Sequence, residues 1–280
     1  MNCLETLSYG NSILKSNNID SYKLDSELLL ANVMKMSREE LLINLQEQLD
    51  RIKLNKFKKL IDRRKRKEPI AYIFKKKEFW KFNFAVDNNV LIPRPETELI
   101  VEEVLKLTNF KSSKHFLDIG TGSGCIILSI IKERPSSIGT ALDISKKAIK
   151  IATSNAKMHH IQNKVKFVNI SVDKYLGSKY DFIVSNPPYI NSIEYNRLEM
   201  NVKFEPHVAL KAGVDGLSVV KKLILKSKNL LKINGKLIFE VGSKQMIQVI
   251  NLLKKNGFYI NRVCKDFQSI PRVIISTKII

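Results

Sequence analysis

The sequence predicts an α/β fold: a doubly wound, mainly parallel sheet of seven strands, preceded by a small helical N-terminal domain and a β-hairpin. Three observations predict it. Residues 1–76 carry apolar side chains at helical spacing. Residues 78–92, EFWKFNFAVDNNVLI, alternate aromatic and polar residues around DNN, a hairpin signal. From about residue 110, short apolar runs alternate with helical runs, the pattern of βα units whose helices cover both faces of a sheet.

At 280 residues the chain is long enough for two domains. The expected division is a helical domain at 1–76, a β-hairpin linker at 77–92 and the α/β domain at 93–280. Hydrophobic residues make up 44% and charged residues 27%, the balance of a globular protein. No apolar run reaches the roughly 18 residues that a membrane span needs. The first twenty residues, MNCLETLSYGNSILKSNNID, lack the basic and apolar regions of a targeting signal. Cys3, Cys125 and Cys264 are odd in number and far apart, which argues against a disulfide framework and fits a reducing cytoplasm. There is no C-x-x-C and no Cys/His cluster, so no metal is expected. The histidines, His115, His159, His160 and His207, stand near no candidate nucleophile in the sequence. The net charge is +21, with a pI of about 9.8. It permits contact with nucleic acid or the ribosome, but lysine is spread over the whole chain.

Taken in order, SYKLDSELLLANVMKM reads as an amphipathic helix. SREELLINL opens with Ser37 and has Glu40 three residues on, a capping box. LDRIKLNKFKKLIDRRKRK reads as a long basic helix that stops near Pro69. Its RRKRK run is read as a solvated face. The α/β region then gives KHFLDIG, SIGTALDIS, KVKFVNIS, YDFIVSNPPYI and GKLIFEVG as strands, with helices between them. GFYINRVC and RVIISTKII close the chain as an antiparallel hairpin at one edge.

Two stretches carry chemistry. The first is DIGTGSG, between a strand and a helix. Three alternating glycines there let the backbone turn sharply and approach a ligand. Open α/β sheets bind ligands at this point. A dinucleotide fingerprint needs glycine at 125, which is Cys125, and no G-K-[ST] follows for a nucleoside triphosphate. Asp143, at the end of the next strand, is placed to accept hydrogen bonds from ribose hydroxyls. The combination resembles the S-adenosylmethionine loop of class I methyltransferases. That resemblance implies Asp118 near the cofactor's amino group.

The second stretch is SNPPYI, at the end of an apolar strand. Pro187 lacks an N–H and is itself restricted by Pro188, so the strand ends in a rigid corner. A planar amide or exocyclic amine is a poor nucleophile because its lone pair is delocalised. It needs acceptors that hold its N–H groups and turn the lone pair to the methyl donor. The Asn186 side-chain oxygen and the Pro187 carbonyl offer two such acceptors, and Tyr189 offers a stacking face. The motif resembles that of amino-methyltransferases acting on adenine, guanine or glutamine.

EPIAYIFKKKEFW, LIPRPETELIVE, FLDIGTGSGCI, ALDIS, IVSNPPYI and FEPHVALKAGVDGL occur in this order. Together they resemble the bacterial release factor glutamine methyltransferase family, from about residue 20 to the end. The resemblance implies a class I methyltransferase fold and an N-terminal domain that recognises the substrate. The cofactor it implies is S-adenosylmethionine. The implied reaction is methylation of the glutamine amide in the Gly-Gly-Gln loop of class 1 peptide chain release factors. It implies Gly120, Thr121, Gly122, Ser123, Gly124, Asp143, Asp173 and Asn186 at the cofactor. Asn186, Pro187, Pro188 and Tyr189 would hold the glutamine, with Asn186, Pro187 and Tyr189 as the catalytic group. Pro93 to Thr97 would line the cleft entrance. Val172 stands where the family usually has an acid, and Asp173 lies one place later. Ser269 stands where a glycine is usual. The expected partners are release factors, with transient proximity to the ribosome. No membrane and no specific nucleic-acid contact is expected, since no inserted recognition domain or RNA-binding motif is present. Methylation of a ribosomal-protein glutamine, or of a nucleic-acid amine, is the alternative.

Overall fold

Caps delimit the first helices. In the computed structural model, which describes residues 1–279, Asn2 and Glu5 form a reciprocal capping box that starts α1 (Cys3–Ser16). Ser37 and Glu40 do the same for α3 (Arg38–Ile43), as the sequence predicts, and α2 (Tyr22–Met34) lies between them. Asp50 accepts from the Lys53 N–H at 2.7 Å and opens α4 (Arg51–Lys65), which is followed by α5 (Ile70–Phe74). The chain divides into two units, Met1–Phe74 with Met200–Phe204, and Lys75–Glu199 with Glu205–Ile280.

The first unit packs Leu14, Leu29, Leu30, Leu41, Phe57 and Ile61 into a closed core. Gly10 on α1 is required there, because a Cβ would stand 2.7 Å from the Phe57 ring. The RRKRK run is not simply a solvated face, and that reading is corrected. Arg64 is buried against Asp25, with Nε to Oδ2 at 2.6 Å, and Arg63 pairs with Glu68 at 2.6 Å. Burying Arg64 uses its fixed guanidinium geometry to satisfy a carboxylate that the core would otherwise strand, while the Arg63 pair stays partly exposed.

The second unit begins with the hairpin β1 (Lys76–Phe79) and β2 (Phe82–Ala85), antiparallel with Phe79 opposite Phe82. Its turn is therefore Trp80–Lys81, not DNN as the alternation suggested. Trp80 holds a positive φ of 58°. Its amide donates to Glu98 and its indole N–H to Glu133, each at 2.8 Å, and these bonds support that conformation. In the DNN segment, Asp87 instead accepts from the Asn89 N–H at 2.8 Å, an Asx turn. The hairpin is held to the α/β layers by Asn155, whose side chain exchanges two hydrogen bonds with Ala85.

The main sheet contains β3 (His115–Ile119), β4 (Ile138–Asp143), β5 (Val165–Asn169), β6 (Tyr180–Ser185), β7 (Leu231–Glu240), β8 (Phe258–Lys265) and β9 (Pro271–Lys278). Their order is β5-β4-β3-β6-β7-β9-β8. All neighbours are parallel except β9, which is antiparallel to both β7 and β8. The last strand thus inserts inside the sheet, and β8 forms the edge. Side chains of successive strand residues alternate between two cores. Phe116, Phe182 and Val184 face α6 (Glu98–Lys106) and α7 (Cys125–Glu133). Leu117, Ile183 and Phe239 face α11 (Ser218–Leu230) and α12 (Met246–Lys255). α8 (Lys146–Met158) joins β4 to β5, and the short α9 (Ser192–Asn196) and α10 (His207–Leu210) follow β6. This is the predicted doubly wound sheet. The order reverses at β3, between β4 and β6, which opens a cleft at the carboxyl ends of the strands. No helix among the described residues is long and apolar enough to cross a membrane.

Candidate active site

The glycine loop follows β3 directly. Gly120, Gly122 and Gly124 all hold positive φ, at 75°, 56° and 82°. The Gly120 and Thr121 N–H groups donate to the Leu142 carbonyl, both at 2.9 Å, which ties the loop to β4. The glycines divide by what surrounds them. Where a Cβ of Gly120 or Gly122 would stand there is open space within 4 Å. A Cβ on Gly124 would meet Leu128 at 3.0 Å and Ala152 at 3.2 Å. The first two leave a cradle open to a ligand. Gly124 instead lets α7 and α8 approach, and it is not among the residues lining the cleft.

The cleft has a volume of about 270 Å³, near the lower end of small-molecule sites at roughly 300–1,000 Å³. Gly120, Thr121, Gly122 and Ser123 form its floor. Asp143 and Asp173 line one wall, with Leu142, Ile144, Ile170 and Val172. Both Asp143 oxygens are oriented by backbone: Oδ2 accepts from Gly122 N at 2.9 Å, and Oδ1 from Ser145 N at 2.8 Å. Burial raises its pKa against these hydrogen bonds. Asp173 is more exposed and pairs with Lys222 at 3.2 Å, also on the cleft wall.

Asp118 does not line the cleft. It is fully buried behind the loop, where Oδ2 accepts the Thr121 hydroxyl at 2.6 Å while Oδ1 has no hydrogen-bond partner. Burial pushes its pKa up to about 7.

The SNPPY corner leaves β6 at the opposite wall. Ser185 donates to the Ile119 carbonyl at 2.6 Å, which joins the ends of β6 and β3. Asn186 and Pro188 line the cleft, whereas Pro187, buried between them, and Tyr189 do not. The Asn186 Nδ2 donates to Thr97 Oγ1 at 3.0 Å. The Thr97 hydroxyl donates to Glu240 Oε2 at 2.6 Å, and the Tyr189 hydroxyl to Glu240 Oε1 at 3.1 Å. Burial raises the Glu240 pKa, opposed by these two hydrogen bonds and by Arg272. Burial, then the Glu240 charge, drives the Tyr189 phenol well up, so it stays a neutral donor.

Pro93 and Thr97 reach the cleft from the segment that leads into α6. That segment is pinned by Glu205, buried in the FEPHVAL stretch, which accepts from the Ile92 N–H at 3.0 Å and pairs with Arg94. Glu240 and Glu205 were not among the expected site residues. For Glu240 a signal was present: a lone acid near the end of the apolar run KLIFEVG, on a strand that ends at the cleft.

Residues 5–74 match the model described as PrmC N-terminal domain, and residues 95–203 the Methyltransferase small domain. The Rickettsia felis bifunctional methyltransferase is 35% identical over 304 residues, covering 98% of this chain and 58% of that protein. The chain thus spans little more than half the length of the Rickettsia relatives it matches. The Clostridium acetobutylicum release factor glutamine methyltransferase is 36% identical over 282 residues, with 99% of both chains covered. Among solved structures, a methyltransferase from Pyrococcus furiosus superposes with a TM-score of 0.55 at 17% identity, over 78% of this chain and 99% of that one. That likeness shows the class I methyltransferase fold. Spanned end to end by its Clostridium relative, the chain belongs to the release factor glutamine methyltransferase family.

Proposed function

We propose that this chain transfers a methyl group from S-adenosylmethionine to the side-chain amide nitrogen of the Gly-Gly-Gln glutamine in class 1 peptide chain release factors. The observation that carries the reading is Asn186, an amide held by Thr97 on the cleft wall beside an open glycine cradle.

The residues present fit the cofactor. The space over Gly120 and Gly122 admits close approach to the backbone, and Asp143 supplies an oriented carboxylate for a ribose diol. Ile144, Ile170 and Val172 supply an apolar wall for a base, with Asp173 beside them. When bound, S-adenosylmethionine supplies an electrophilic methyl on a sulfonium.

The chain's own residues handle the acceptor. Asn186 Oδ1 and the Pro187 carbonyl accept the two N–H bonds of the glutamine amide. The amide plane is thereby fixed and its nitrogen lone pair points at the donor. Tyr189, anchored through its hydroxyl to Glu240 and standing outside the cleft lining, braces the corner that presents Asn186 in place of the stacking face expected of it. Positioning of this kind supplies much of the rate. After transfer the cationic nitrogen is acidic and loses its proton to water, so no strong base is required. The N-terminal helical domain recognises the protein substrate, and the reaction takes place in the cytoplasm.

The test is methyl transfer to a purified class 1 release factor and to its Gln→Ala variant in the Gly-Gly-Gln loop. Label is expected on the first alone. Equal label on both would remove the assigned target.

A further inference from the structure

Resting on that reading, we propose that Thr97 and Glu240 are positioning residues that set which end of the Asn186 amide faces the substrate. Asn186 is useful only one way round. Its Oδ1 must be available to accept an N–H; turned over, it would present a second donor to a donor. Nothing in an asparagine itself chooses between these states. The choice is made by proton bookkeeping along three side chains.

Glu240, at the end of β7, is buried and carries two acceptor oxygens. One takes the Tyr189 hydroxyl and the other the Thr97 hydroxyl, at 3.1 and 2.6 Å. A hydroxyl has a single proton. Thr97 spends it on Glu240, so toward Asn186 its oxygen can only accept. The atom of Asn186 that faces it, at 3.0 Å, must therefore be Nδ2. Oδ1 is left at the other end of the amide. Thr97 is itself held at 2% exposure in the turn before α6, so little of its surface is open to water. The two donated hydroxyls and the positive potential of Arg272 favour the Glu240 carboxylate, the form that can only accept, against the burial that raises its pKa. The same carboxylate thus holds the two side chains of SNPPY that the mechanism uses.

The substitutions that separate this from plain packing are Thr97→Val and Thr97→Ser. Valine keeps the shape and removes the oxygen; serine keeps the oxygen. Thr97→Val is expected to lower kcat on the order of 10²-fold, the effect of a misplaced reacting group. The dissociation constant for S-adenosylmethionine is expected to change less than about threefold, since Thr97 contributes no bond to the loop or to Asp143. Thr97→Ser is expected to restore most of kcat, and Glu240→Gln, which can donate to Thr97 and reverse the chain, to behave like valine. A second readout needs no acceptor. The Asn186 side-chain amide protons, assigned by their loss in Asn186→Asp, are expected to exchange slowly with water in the wild type and in Thr97→Ser. In Thr97→Val they are expected to exchange fast. Equal exchange in wild type and Thr97→Val, or equal kcat in valine and serine variants, would overturn the proposal. Failure of the wild type to modify release factor, with this exchange pattern intact, would count against the assigned substrate and not against the relay.

Discussion

Replacing Gly120 and Gly124 by alanine, one at a time, separates a ligand-facing glycine from a packing glycine. Both hold positive φ, at 75° and 82°, so both variants carry the same left-handed backbone cost, about 1–2 kcal/mol. That cost cancels in the comparison. What differs is the new methyl. At Gly120 it enters space with no atom within 4 Å. At Gly124 it lies 3.0 Å from Leu128 Cδ1 and 3.2 Å from the Ala152 Cβ. Leu128 can shift a flexible end, but Ala152 sits on α8 and cannot move alone. Overpacking of this kind costs roughly 1–3 kcal/mol. At about 2–4 °C per kcal/mol for a domain of this size, Gly124→Ala is expected to melt about 2–12 °C below Gly120→Ala. Cofactor binding should rank the other way. The Gly120 methyl fills the approach to the backbone, and a loss of about 1.4 kcal/mol or more there is tenfold in Kd. Differential scanning fluorimetry without ligand and titration calorimetry with S-adenosylmethionine read the two effects. A Gly120→Ala protein that binds within twofold of wild type would refute the cradle. A Gly124→Ala protein as stable as Gly120→Ala would refute the packing role.

Asn186→Ala is expected to abolish transfer while S-adenosylmethionine still binds, and calorimetry beside a turnover assay checks both halves. Asp118 gives a pH signature. Its carboxyl titrates at about 7 folded against an ordinary value of 3.8, so the folded state holds the extra proton between these limits. Its contribution is therefore full below the ordinary value and is lost as pH rises to about 7, a change on the order of 4 kcal/mol. Denaturant unfolding of wild type and Asp118→Asn across that window is expected to show the stability gap shifting in the variant's favour as pH rises; parallel curves would contradict it. In the helical unit, Asp25→Ala strands the buried Arg64 and is expected to cost about 3–5 kcal/mol, whereas Asp25→Leu with Arg64→Met should recover most of it in the same unfolding assay.

The sheet was legible because its strands are buried on both faces and read as apolar runs between helical ones, KHFLDIG and YDFIVS among them. The insertion of β9 between β7 and β8 was not, since short turns do not determine sheet order. The hairpin turn was misplaced because DNN is the stronger local turn signal, while Trp80 is held in its positive φ by Glu98 and Glu133, which are distant in sequence. The glycine loop, Asp143, Asn186 and Pro188 were readable because each belongs to a short motif on one turn. The relay behind Asn186 was not: Thr97 lies 89 residues from Asn186 and 143 from Glu240. Spacing carries no information at that range. The same holds for Arg64, whose partner Asp25 is 39 residues away and turns an arginine in a basic run into a core residue.

The central claim is that the acceptor is a release-factor glutamine. The direct measurement offers the purified protein labelled S-adenosylmethionine with class 1 release factor, ribosomal proteins, DNA and ribosomal RNA side by side, and maps the label by mass spectrometry. Label on the Gly-Gly-Gln glutamine of the release factor is the expected result. Label on nucleic acid alone would contradict the account and assign the net charge of +21 a role in substrate binding.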